Sequence, residues 1–221
     1  MKQFFPLMLA ACLLVPDAGR AGAWLREKGS GFTALSFGVT HGKETTNAFY
    51  FEYGLSDQTT IGLDISAFTN ARNVRNGFGN LFVRRSLGPT EGPHRFAYEL
   101  GVGGLWGNER QLPVLKTGLS WGYGFTRVSG WVNLDLGYVH EPQLGESIAK
   151  IDGTLGLDFG SITTGLLEFT LSKRGEDTYG AVQPSLLIKP RGQAFNVKLG
   201  AEIPYNETER AAVKIGVWHR F

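Results

Sequence analysis

Arg210-Ala211-Ala212-Val213-Lys214-Ile215-Gly216-Val217-Trp218-His219-Arg220-Phe221 changes character at every step. Successive side chains of a β-strand point to opposite faces. Ala211, Val213, Ile215, Val217, His219 and Phe221 therefore share one face, and Arg210, Ala212, Lys214, Gly216, Trp218 and Arg220 the other. An apolar strip backed by a basic one belongs between hydrocarbon and water. The stretch predicts a wall strand that closes a sheet.

The same alternation recurs upstream. In 193–205, Phe195, Val197, Leu199, Ala201, Ile203 and Tyr205 stand against Asn196, Lys198, Gly200, Glu202 and Pro204. In 151–159, Ile151, Gly153, Leu155, Leu157 and Phe159 oppose Asp152, Thr154, Gly156 and Asp158, and 131–139 sets Val132, Leu134, Leu136 and Tyr138 against Asn133, Asp135 and Gly137. Similar segments lie near 31–40, 47–55, 59–69, 78–87, 95–106, 113–125, 162–173 and 179–189, which with the closing strand makes twelve. The segment 78–87 is the least regular, because Arg84 and Arg85 stand side by side. Ten strands result if two weak segments are loop excursions, whereas eight leave too much alternation unassigned.

Residues 24–221 shared among twelve strands give about 16 residues per strand and connection, enough for spanning strands of ~9–11 residues. Connections alternate: odd-numbered ones, such as 41–46, 69–77 and 140–149, read as longer and charged, even-numbered ones as shorter and rich in turn residues. That predicts outer loops alternating with periplasmic turns, and the even strand count places both termini on the periplasmic side. The fold expected is all-β: a transmembrane, antiparallel, up-and-down barrel. Beyond residue 23 no stretch approaches the ~18 apolar residues of a spanning helix, and a closed barrel is the other structure that satisfies every backbone group in lipid.

The second face separates barrel from soluble sandwich. A sandwich turns that face to water and loads it with Lys and Glu. Here it carries Gly38, Gly62, Gly101, Gly103, Gly118, Gly122, Gly124, Gly137, Gly156, Gly200 and Gly216 with single charges between them. The chain holds 31 glycines in 221 residues, about twice the usual ~7%. Small residues on a concave face predict room inside. The oily face is aromatic near strand ends, with Phe49, Phe51, Tyr53, Phe96, Tyr98, Trp106, Trp121, Tyr123, Phe125, Tyr138 and Phe159, as interfacial girdles are.

At the other end, Lys2, the apolar run Phe4 to Val15 and the small residues Ala21-Gly22-Ala23 read as a signal peptide cleaved near Ala23, giving a leader 1–23 and one barrel domain 24–221. A rival reading takes Leu9-Ala10-Ala11-Cys12 as a lipoprotein box, but Leu13-Leu14-Val15 continues the apolar run past Cys12. Cys12 is the sole cysteine, so the mature chain holds neither disulfide nor thiolate metal site. Losing Lys2, Arg20 and Asp17 from 22 basic and 20 acidic residues leaves a net charge of about +1, without the concentrated basic face of nucleic-acid binders.

The closing strand, with Phe221, Val217 and Ile215, resembles the signal read by the barrel-assembly machinery of Gram-negative outer membranes. Glu52-Tyr53-Gly54-Leu55-Ser56-Asp57-Gln58-Thr59-Thr60-Ile61-Gly62-Leu63 resembles the periplasmic turn of small outer-membrane barrels, including those similar to putative transport proteins of aromatic meta-cleavage pathways. Gly22-Ala23-Trp24 followed by Lys28-Gly29-Ser30-Gly31 is similar to the mature start of some of these. The resemblance implies a passive or facilitative role in the outer membrane, without catalytic residue or cofactor. The partners it implies are outer-membrane lipids, lipopolysaccharide and, during biogenesis, the assembly machinery. Arg72 and Arg75 in the second outer loop suit lipopolysaccharide phosphates.

Strand phase assigns inward acids Glu52, Asp64, Glu99, Asp135, Asp152, Asp158, Glu168 and Glu202, and inward bases Arg84, Lys116, Lys189, Lys198, Arg210, Lys214 and Arg220. Near-balance argues against strong ion selectivity, which one sign of lining charge produces. The bases of the last two strands either face the acids of strands seven to nine as a transverse field or pair with acids to brace the wall, and lumen charges held away from water need partners.

An acyl enzyme needs a serine beside a positioned base. His41 and His140 read as loop residues, His94 as a turn residue and His219 as lipid-facing, none with a serine two residues away on its strand. His140 with Glu141 and Glu146 reads as a solvated loop. The function expected is a narrow channel or facilitator for an unidentified small solute. The alternative is a non-conducting structural barrel or envelope-export helper, and a lipid-modifying acyl enzyme ranks third.

Overall fold

The structure, a computed structural model, describes residues 22–107, 110–125 and 127–221. The expected leader through residue 21, Cys12 included, lies outside the described residues. Twelve strands form: β1 (Gly31–Thr40), β2 (Thr45–Ser56), β3 (Thr59–Thr69), β4 (Arg75–Ser86), β5 (His94–Gly107), β6 (Arg110–Phe125), β7 (Gly130–Glu141), β8 (Glu146–Phe159), β9 (Thr163–Arg174), β10 (Asp177–Ile188), β11 (Phe195–Pro204) and β12 (Ala212–Arg220). Each pairs antiparallel with its sequence neighbours, and β1 pairs with β12, so the sheet closes into an up-and-down barrel. Closure leaves no strand edge unpaired, the condition for a sheet in lipid.

The outer wall is apolar. Leu35, Leu81, Val102, Leu119, Leu167 and Val213 are all more than half exposed, on the faces that alternation assigns to hydrocarbon. Where the wall has no side chain a neighbour covers it: the Trp106 indole lies over the outward Gly77 and Gly79. The β10–β11 ladder is interrupted, since Gln183 and Pro184 have no register partner on β11, and Pro184 has no N–H to give.

We call the end carrying the start of β1 and the end of β12 the terminal rim, and the other the opposite rim. Strands run longer than the alternation predicts, above all β6 and β8, and absorb residues expected in the outer loops. As a result, connections at the opposite rim, such as 41–44, 70–74, 142–145 and 175–176, are no longer than 87–93 and 189–194 at the terminal rim. The expected difference in loop length is therefore absent, because charged residues near strand ends stay hydrogen-bonded in the ladder.

The interior departs most from expectation. The space left by inward glycines is occupied by rings. Near the terminal rim Phe32, Tyr50, Phe82, Leu166, Leu187 and Trp218 form one buried cluster, with Trp131 packed against it. Near the opposite rim Phe68, Phe78, Leu105, Leu112, Val114, Val139 and Ile148 form another. Phe32 meets Trp218 edge-on at 5.9 Å and Tyr50 at 6.3 Å, and Tyr50 stacks on Phe82 at 5.8 Å. Such pairs add about 0.5–1.5 kcal/mol each beyond area burial. The Phe82 ring lies across Gly62 and Trp131 across Gly156, so here glycine admits a neighbour's ring rather than keeping the lumen open.

Residues 22–30 enter the barrel from the terminal rim ahead of β1. Gly29 N–H donates to Gly54 O and Gly54 N–H to Ser30 O, both at 2.9 Å. Arg26 N–H donates to Thr60 Oγ1 at 2.9 Å and Lys28 N–H to Asp57 Oδ1 at 3.1 Å. Trp24 lies across Gly122, and Ala23 is buried. The folded unit thus includes an inner segment in addition to its wall.

Candidate functional site: the lumen

Two networks of ions line the lumen, one on each side. The first runs along β2, β4, β5 and β6. Arg26 Nε reaches Glu52 Oε2 at 2.6 Å, and Arg84 bridges Glu52 Oε1 and Glu99 Oε2, the latter at 2.6 Å. Lys116 Nζ lies 2.8 Å from Glu99 Oε1, and Tyr50 OH donates to Glu52 Oε1 at 2.5 Å. Glu52 is fully buried, so its two guanidinium partners and the phenol replace the water it loses. Phe32 and Phe82 shelter the cations, with Arg26 4.6 Å from the first ring centroid and Arg84 4.9 Å from the second.

The second network spans β9 to β12. Glu168 accepts from Lys198 Nζ at 2.8 Å, Gln183 Nε2 at 2.9 Å and Ser185 Oγ at 3.2 Å. Lys214 Nζ donates to Gln183 Oε1 at 2.8 Å and Glu202 Oε2 at 3.0 Å, and Tyr179 OH donates to Glu202 Oε1 at 3.0 Å. Smaller pairs complete the ring: Lys150 with Asp152 at 2.9 Å and, at the terminal rim, Lys189 with Asp158 at 3.1 Å.

Most of the charges that strand phase turns inward thus meet partners across neighbouring strands. Asp64 is buried and lines a cavity in mid-lumen. Arg220 is on the inward phase of β12 but exposed at the terminal rim, with no carboxylate in ion-pair range among the described residues. Arg210 departs from the closing strand: a short 3-10 helix, Thr208–Arg210, lifts it off the wall into the last connection. There it contacts Glu44 at 3.0 Å and Glu207 at 2.6 Å. Burial alone would lower its pKa, and the hydrogen bonds to Glu207 and Glu44 outweigh that and hold it raised.

Arg26, Tyr50, Lys150, Arg174 and Tyr179 escape the sequence reading. Lys150 and Arg174 lie one residue beyond the segments that alternation marked, so extending the phase would have found them. Arg26 belongs to no periodic stretch and carries no such signal. Arg174 pairs with Glu146 on β8.

Among the described residues, two cavities lie inside the barrel. One, about 100 Å³, opens near the opposite rim between Arg174, Tyr179, Glu202, Glu207 and Arg210. The other, about 90 Å³, lies in mid-lumen against Asp64, Arg84, Glu99, Lys116, Asp135 and Asp152.

Two histidines differ from expectation, His140 and His94, both of which lie on strands. His140 sits on β7, in register with Ser147 of β8, and its Nδ1 lies 2.9 Å from Ser147 Oγ, which also accepts from Tyr138 OH at 2.7 Å. The pair is formed across a hairpin, so a search along one strand misses it. Among the described residues no carboxylate or carboxamide is hydrogen-bonded to His140, so the base lacks an orienting group. His94 opens β5 and accepts from Trp121 Nε1 at 3.2 Å, and His219 stacks with Phe221 at 5.6 Å.

No protein-family model and no curated protein matches the chain. Solved outer-membrane barrels do resemble it. The NanC porin aligns with a TM-score of 0.64 at 9% identity, over 85% of this chain and 98% of that one. The KdgM porin aligns at 0.59 with 12% identity, over 86% and 99%, and has also been solved in complex with disordered oligogalacturonate. Outer membrane phospholipase A from Escherichia coli aligns at 0.48 with 12% identity, over 92% and 95%, too low a score to bear on function. At these identities the likeness is one of fold alone: a closed, antiparallel, up-and-down β-barrel.

Proposed function

We propose that this barrel passes small, polar, uncharged solutes across the outer membrane through a narrow lumen, with both termini on the periplasmic side. One observation carries the reading: the interior keeps cavities whose walls set charged and hydroxyl side chains, most of the ions paired, among apolar ones. Paired charges offer polar contacts without net attraction for either sign of ion. The porin-type fold supports a conducting role. Phe221, Val217 and Ile215 serve assembly, and the exposed Arg72 and Arg75 at the opposite rim face lipopolysaccharide.

Swelling of liposomes containing the mature protein tests this. Entry of small sugars and polyols that falls off sharply with size, and little preference between small anions and cations in planar bilayers, are the results expected. A second reading, a non-conducting structural barrel, draws on the two apolar clusters and the seated N-terminal segment. Absence of any flux from protein shown to be folded would establish it over the first.

A further inference from the structure

Asp135 is the exception among the lumen acids. It lies on β7 between Ser120 of β6 and Asp152 of β8, in register with both. Asn133 Nδ2 donates to its Oδ2 at 2.5 Å, while Oδ1 is buried and receives no hydrogen bond. Among the described residues no cation lies within ion-pair distance of it. The nearest bases are committed elsewhere: Arg84 to Glu52 and Glu99, and Lys150 to Asp152. A buried carboxylate without a counter-charge is expensive, so the site is incomplete as a set of side chains.

Gly22 occupies the space in front of that oxygen. A Cβ at Gly22 would overlap Asp135 Oδ1 and Ser120 Oγ, and the following N–H, of Ala23, points at Asn133 Oδ1 from 3.4 Å. The start of the segment thus lies against the acceptors of this pocket, with the Ala23 nitrogen on Asn133 Oδ1 and Gly22 beside Asp135 and Ser120. The leader carries small residues at Gly19 and Ala21 as well as at Ala21 and Ala23, and small residues at alternate positions are what signal peptidase requires.

We propose that the leader is cut after Ala21, not after Ala23, and that the new α-ammonium of Gly22 is the counter-ion of Asp135. Hydrolysis of the Ala21–Gly22 bond gives the hydroxyl of water to the Ala21 carboxyl and a proton to the Gly22 nitrogen. A second proton from solvent makes the ammonium, since free α-amines titrate at about 7.7–8.0. The pocket beside Gly22 offers that ammonium two acceptors, Asp135 Oδ1 and Ser120 Oγ, while Asn133 Oδ1 accepts from the Ala23 N–H. With the Arg26–Glu52 ion pair and the Gly29–Gly54 backbone bonds, this third anchor holds residues 22–30 inside the terminal half of the lumen. Processing then completes the plug, because the unprocessed chain has an amide where the ammonium belongs.

The chain start and its chemistry are measured on wild-type protein purified from outer membranes. Intact-mass analysis is expected to give a mature chain beginning at Gly22. A start at Trp24, which removes both residues of the pocket, overturns the proposal. Acylation with a limiting amine reagent near neutral pH, mapped by peptide mass, is expected to modify Gly22 at least tenfold more slowly in the folded barrel than in urea. Equal rates overturn it. Asp135→Asn is expected to bring the folded rate to within about threefold of the urea rate and to raise planar-bilayer conductance. Should that variant fail to fold, the wild-type mass and labelling results still decide. The latch does not depend on the channel reading. Protected amine without conductance in any variant removes the channel and leaves the latch, whereas a conducting wild type with a fully reactive amine does the reverse.

Discussion

The two ion networks of the lumen are built from the same parts, yet only one is complete within the wall. The β9–β12 network takes Glu168, Lys198, Lys214 and Glu202 from strands alone. The β2–β6 network takes Glu52, Arg84, Glu99 and Lys116 from strands and Arg26 from the segment inside. One side of the barrel is braced whatever the N-terminal segment does, whereas the other is fully braced only when that segment is seated. The difference identifies the half of the lumen able to change.

The contrast is broken most severely at Glu52. Glu52→Ala leaves Arg84 buried without one of its two acids and takes from Arg26 the carboxylate at 2.6 Å, and breaking a buried pair costs about 3–5 kcal/mol. The midpoint of urea unfolding in lipid vesicles is expected to drop accordingly, and a shift below about 1 kcal/mol would mean that the network is not structural. Glu168→Gln keeps a shape-matched acceptor for Lys198 but loses the charge, for about 1–3 kcal/mol, without releasing residues 22–30 to protease. Arg26→Ala is expected to cost less in unfolding, because Glu52 keeps Arg84 and Tyr50. It should nevertheless expose residues 22–30 to trimming by an aminopeptidase, which the β9–β12 variant does not. Lys189→Ala, at the more exposed rim pair with Asp158, sits at the bottom of the scale with about 0–1 kcal/mol. A larger loss there would place the Asp158 cluster among the bracing networks.

The wall was legible in the sequence because one physical rule wrote it. Lipid outside and polar or small residues inside impose a period of two on every strand, and all twelve segments from 31–40 to the closing strand form. The interior obeys no comparable rule. Phe78 and Phe82 share a face with Asn80 and Arg84, and a ring pointing into a filled lumen looks in sequence like a ring pointing into lipid. In β4 the adjacent Arg84 and Arg85 blur the phase as well, although the register is unbroken and the first is buried while the second is exposed. Glycine on the inner face misled for a related reason, since it makes space without saying who takes it. Segment 22–30 has no periodicity at all; it is held by backbone bonds to Gly54, Thr60 and Asp57, partners about 25 to 34 positions away. The His140–Ser147 pair depends on hairpin register, which alternation along one strand does not encode.

Phe221 exchanges backbone hydrogen bonds with Gly31, N–H to O at 3.1 Å and O to N–H at 2.6 Å, while its ring lies 6.3 Å from Phe51. The last residue of the wall is therefore clasped to the point where the chain turns inward. Any tag appended after Phe221 emerges beside the neck of the plug and competes with both. A reporter or purification handle belongs instead in connection 205–211, on the far side of the barrel from that clasp.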